Sequence, residues 1–106
     1  MATYKVLGQS APSAATATTL FTAGSATIVS TLNAANIGGT QDTIRIAIRP
    51  SGAALSNQHY IAYGVPLAAG AVFSIQGGLT LANTDVVTVY STTGTTSFTA
   101  TGSDGN

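Results

Sequence analysis

Apolar and polar positions alternate along much of this chain, in short runs interrupted by Gly, Pro and Asn. The clearest run is Thr43–Arg49. There Ile44, Ile46 and Ile48 fall on one side of an extended backbone, and Arg45 and Arg49 on the other. Pro50-Ser51-Gly52 ends it, because proline cannot continue a hydrogen-bonded ladder and glycine favours a turn. The same period applied to His59–Val65 puts Ile61, Tyr63 and Val65 on one face, stopped by Pro66. A third run, Asp85–Tyr90, closes at Ser91-Thr92-Thr93-Gly94. Weaker runs cover Tyr4–Leu7, Thr18–Thr22, Thr27–Asn33, Val72–Gln76 and Ser97–Thr101.

About eight short strands at this spacing predict an all-β chain, a two-sheet antiparallel β-sandwich of jelly-roll type. Helix formers are scarce, with no Glu, one Lys and one Met. No fixed period marks a solenoid or other repeat. The expected organisation is one domain over residues 1–106, with residues 9–17 an extended arm or a loop around Pro12, and residues 102–106 a flexible tail.

Composition sharpens this. A chain of 106 residues can bury a hydrophobic core, and without cysteine that core rests on packing alone. Charged residues make up 6% of the chain against about 25% in an ordinary soluble domain. The full set is Lys5, Arg45, Arg49, Asp42, Asp85 and Asp104, for a net charge of zero. No basic face can form, so neither nucleic acid nor an acidic membrane is an expected partner. No run reaches the roughly 20 apolar residues of a membrane-spanning helix. The opening Met1–Gly8 has one basic residue and no apolar run behind it, which predicts cytoplasmic synthesis without a secretory signal. Small polar side chains on an uncharged surface favour association: they lose little rotamer entropy on contact, and few ions need desolvating.

Candidate chemistry is sparse. One His and three Asp leave little for acid–base or nucleophilic catalysis, and the chain reads as a non-enzyme with no cofactor. Ser-His-Asp arithmetic around His59 lacks a Gly-x-Ser-x-Gly elbow, so His59 reads as a hydrogen-bonded residue at a strand edge. Metal-ligand spacings are missing too. Gly38-Gly39 and Gly77-Gly78 read as turn glycines instead of a phosphate cradle. Two surfaces remain. Tyr60, Tyr63 and Tyr90, near Asn57 and Asn83, either pack in the core or form a carbohydrate platform. Arg45 and Arg49 either reach a partner's carboxylates and carbonyls or pair internally with Asp42 or Asp85. Lys5, Arg45, Arg49 and Tyr60 are the candidate interface residues.

The strings Arg45-Ile46-Ala47-Ile48-Arg49-Pro50, His59-Tyr60-Ile61-Ala62-Tyr63, Val65-Pro66 and Leu79–Tyr90, with Tyr4–Gln9 and Ser97-Phe98, carry a resemblance over most of the chain. It resembles short virion structural proteins of tailed bacteriophages, including phages of cyanobacteria. The resemblance implies a multi-copy particle component: a cement or decoration protein on the capsid exterior, often a homotrimer, whose partner is the major capsid protein. It also admits a tail, neck, baseplate or fibre-tip module that binds a host receptor or glycan.

Overall fold

A computed structural model describes residues 3–105. It contains eight strands: β1 (Thr3–Ser10), β2 (Thr18–Thr22), β3 (Thr27–Asn36), β4 (Asp42–Arg49), β5 (Tyr60–Leu67), β6 (Val72–Leu81), β7 (Val86–Ser91) and β8 (Thr96–Asp104). Two short 3-10 turns, Pro50–Gly52 and Asn57–His59, lie between β4 and β5. Every predicted run becomes a strand. Several extend past the predicted ends, because Thr, Ser and Asn keep hydrogen-bonding in the ladder after the apolar alternation fades.

The pairing defines the architecture. Strand β1 pairs with β8, β2 with β7, β3 with β6 and β4 with β5, all antiparallel. This is one long hairpin of strands rolled up, so that β8 also pairs with β3 and β7 with β4. The result is two four-stranded sheets, ordered β1-β8-β3-β6 and β2-β7-β4-β5, the jelly-roll arrangement.

Leu32, Ile44, Ile46, Val87, Val89 and Phe98 have no exposed surface and fill the space between the sheets. Ile48 packs against them from the edge of the core. Thus β4 shows the faces its alternation predicts. Each large side chain removed from water contributes about 1.5–3 kcal/mol, and with no cysteine no covalent link adds to this.

The loops at each end of the sandwich are tied by polar side chains, a buried one at the first end and a partly exposed one at the second. At one end Asn36, 1% exposed, crosses between the sheets: its Nδ2 donates to the Thr40 and Leu67 carbonyls, and its Oδ1 accepts from the Gly38 N–H and the Thr95 hydroxyl. At the opposite end the Asp85 carboxylate accepts the Ser51 and Ala82 N–H groups, joining the β4–β5 and β6–β7 connections. Those two N–H donors hold Asp85 below the ordinary carboxylate range, against the opposing effect of burial.

Four expectations change. Of the arm and the loop expected at residues 9–17, residues 11–17 are the loop and the start of the segment is strand: Gln9 and Ser10 belong to β1, Pro12 is buried, and the Ala15 N–H donates to the Ser91 carbonyl. Residues 102–104 form no tail, since β8 runs to Asp104 and pairs on both sides, and the Gly105 N–H donates to the Ser25 hydroxyl; Asn106 lies outside the described residues. Gly77 and Gly78 sit inside β6 at positive φ and not in a turn. There they absorb a register break that crosses the first sheet at one level, with Leu7 in β1 and Ser30 in β3 as the other unpaired positions.

The fourth change concerns β5. Its register against β4 breaks twice, leaving Gly64 and Ile61 as unpaired positions. Gly64 adopts φ 68°, a conformation suited to glycine in a bulge. Each extra residue reverses which face the next one takes. Ala62 and Leu67 are therefore buried, Ile61 and Tyr63 exposed, and Val65 partly buried against the core.

Candidate functional site

The bulge at Ile61 gives Tyr60 and Tyr63 a common face although they stand three apart in sequence. Tyr60 pairs with Ala47 and Tyr63 with Arg45, both on the outward side of β4. Their rings meet edge to face, with centroids 4.9 Å apart. An open groove of about 340 Å³ beside them is lined by Asn57, Tyr60 and Tyr63. Asn83 does not line it.

On its other side β4 pairs with β7, where inward Val87 and Val89 alternate with outward Thr88 and Tyr90. Tyr90 stands opposite Arg45. The Arg45 guanidinium therefore lies between two rings from flanking strands, its central carbon 4.4 Å from the Tyr63 centroid and 4.3 Å from that of Tyr90. Such contacts contribute about 0.5–2 kcal/mol each. Against this, Arg45 Nε is buried without a hydrogen-bond partner, which costs about 1–3 kcal/mol. The two effects are of similar size, so the stack adds little net stability while holding the cation in one orientation.

Arg49 shares the face but not the environment. Its Nε donates to the Thr88 hydroxyl at 3.0 Å, and its Nη1 donates to the Ala53 carbonyl at 3.1 Å. It fastens the β4–β5 connection to the sheet. Neither arginine pairs with Asp42 or Asp85, the internal partners weighed from sequence. Those carboxylates take backbone N–H and hydroxyl donors at the two ends of the sandwich. Asp42, 1% exposed, accepts from the Ser91 and Thr96 hydroxyls and from the Thr43 and Thr93 N–H groups. Burial pushes its pKa up, but the Ser91 and Thr96 hydroxyls and the two N–H donors outweigh that and lower it to about 2.

Lys5 belongs to a different surface. It lies on β1 in the first sheet and forms a 2.8 Å ion pair with Asp104. Around it an open groove of about 670 Å³ is lined by Tyr4, Lys5, Val6, Ile28, Ser30 and residues of β8. Tyr4 is 84% exposed, Val6 53% and Ile28 41%. The four candidate interface residues thus split: Arg45, Arg49 and Tyr60 on the outer face of the second sheet, Lys5 on the edge of the first.

His59 closes a 3-10 turn and is buried. Its Nδ1 accepts the Ser56 N–H at 3.1 Å, so this ring nitrogen serves as a cap acceptor for the turn. Among the described residues no three His, Cys, Asp or Glu side chains gather where they could hold a metal ion.

The Tyr63–Arg45–Tyr90 stack and the Tyr4–Val6–Ile28 surface were not assembled from sequence. Alternation in β4 signalled that Arg45 faces outward, but only strand adjacency brings it between Tyr63 and Tyr90. Comparison with known protein families, curated proteins and solved structures gives no match.

Proposed function

We propose that this chain is a virion structural protein, a jelly-roll cement or decoration subunit that oligomerises and binds the outside of a phage capsid, bridging shell subunits. The observation that carries the reading is the outer surface of the first sheet. Tyr4 and Val6 stand exposed on edge strand β1 and Ile28 on β3, across β8 from it, on a chain with only six charged side chains. A free strand edge with apolar neighbours is a site for adding another chain. Lys5, the cation that could guard that edge, is drawn to Asp104. Contact between copies there, as in a homotrimer, leaves the opposite sheet for the major capsid protein. A subunit that binds only the assembled shell stabilises it by mass action.

Quantitative mass spectrometry of purified particles tests this. A cement protein is present at a copy number comparable with the shell subunits, and its removal lowers the particle's heat resistance. A handful of copies per particle would end the reading. Val6→Asp, measured by light scattering, is expected to reduce the oligomer to a monomer that still folds.

A second reading, a tail or fibre-tip module that binds a host glycan, is favoured by the groove beside Tyr60, Tyr63 and Asn57. A glycan-array signal lost in Tyr60→Ala supports it, and a blank array removes it.

A further inference from the structure

We infer that Arg45, clamped between Tyr63 and Tyr90, is a preformed fork for a carboxylate side chain of a different protein. The inference rests on the reading above that the second sheet's outer face meets another protein, and it names what that face recognises. Rings flank the guanidinium, with centroids at 4.4 and 4.3 Å on strands to either side. A planar cation covered in this way keeps its N–H donors in the plane, so a ligand is taken edge-on, the geometry of a bidentate carboxylate. The Nη nitrogens make no hydrogen bond among the described residues, and Nε is buried without one. Arg49 differs, since its Nε and Nη1 already donate to Thr88 and Ala53. Lys5 is paired with Asp104. Arg45 is therefore the one cationic side chain among the described residues with no hydrogen bond or ion pair of its own.

The chain's own carboxylates point to a foreign partner. Asp42 is buried beneath four donors, Asp85 accepts two N–H groups, and Asp104 holds Lys5. There is no Glu. Each Asp of a second copy is thus buried or already shares its charge with donors of its own chain, so an exposed Asp or Glu of another protein, with no such ties, is the better match for Arg45. The surroundings suit such a contact: tyrosine and arginine anchor many protein interfaces, and the rim here carries little charge besides Arg49, which is already hydrogen-bonded.

The test monitors the Arg45 Nε–H resonance, set apart by two ring currents and assigned by its loss in Arg45→Lys. Oligoglutamate is titrated into the whole protein. It should shift this signal in a saturable way in the parent protein and in Arg49→Lys, and the affinity, read in every variant from backbone amide shifts of β4, should fall about tenfold or more in Arg45→Lys, the loss expected for a charge-assisted hydrogen bond, and stay unchanged in Arg49→Lys. Neutral oligoglutamine should leave the signal in place. An unmoved signal, an equal shift with oligoglutamine, or tighter binding of oligogalacturonate overturns the inference, the last because an acidic sugar is then the ligand. Particle incorporation is scored separately. Normal incorporation of Arg45→Lys also overturns it, whereas oligoglutamate binding by a chain that is absent from particles supports the fork and removes the capsid reading alone.

Discussion

Replacing Asp42 with Asn isolates the contribution of the buried carboxylate to this fold. In the folded chain the carboxylate accepts four hydrogen bonds, from the Ser91 and Thr96 hydroxyls and the Thr43 and Thr93 N–H groups. Its pKa is lowered from 3.8 to about 2. At about 1.4 kcal/mol per pH unit, that difference corresponds to roughly 2 kcal/mol of stability at neutral pH. A carboxylate depressed on folding contributes fully above its unfolded value, and the contribution fades as pH falls through 3.8 towards about 2. Asn keeps one acceptor oxygen for the two N–H groups. It turns a donor on the hydroxyls, however, and the Ser91 oxygen already accepts the Gly94 N–H. The expected result is a loss of about 2 kcal/mol in Asp42→Asn at pH 7, shrinking towards zero near pH 2. Urea unfolding, followed by circular dichroism at a series of pH values in both proteins, measures it. The background is small, because only Asp85 and Asp104 remain as carboxylate side chains. Parallel stability curves for the two proteins between pH 2 and pH 7 would refute the reasoning.

Other substitutions probe the packing and the ties. A Cβ at Gly102 would lie 2.0 Å from the Ile28 carbonyl oxygen, a backbone atom that cannot swing aside. Gly102→Ala is therefore expected to lower the melting temperature sharply or prevent folding, by a loss of about 2 kcal/mol or more. Phe98→Ala empties a site with no exposed surface, for a loss of about 3–5 kcal/mol in urea unfolding. Arg49→Ala frees the β4–β5 connection, and amide exchange in residues 50–59 should speed up while β3 and β8 keep their protection. Lys5→Met should change stability by no more than about 1 kcal/mol, because the Lys5 side chain is half exposed and its pair with Asp104 is screened by solvent.

Where a strand keeps regular register, its sequence declares its faces. Ile44, Ile46 and Ile48 turn inward and Arg45 and Arg49 outward because β4 runs unbroken against β7. The same alternation fails in β5, where Gly64 and Ile61 drop out of register against β4 and each break reverses the facing of the residues beyond it. Glycine at position 64 hints at such a break. Nothing local marks Ile61, and it is that second break that sets Tyr60 beside Tyr63.

The amino-acid sequence by itself determined that the chain is all-β, how many strands it has and nearly where they lie, since alternation and turn residues act over a few neighbours. It also determined the scarcity of charge and of catalytic groups. Only the tertiary structure decided what each charge does. Asp42 meets Thr96, Lys5 meets Asp104, and Arg45 meets Tyr63 and Tyr90 across strands that are distant in the chain or displaced by bulges. The physical reason is that strand order and register are cooperative properties of the rolled hairpin. A single extra residue in one strand moves a side chain from the core to the surface, and at Ile61 no local pattern encodes it.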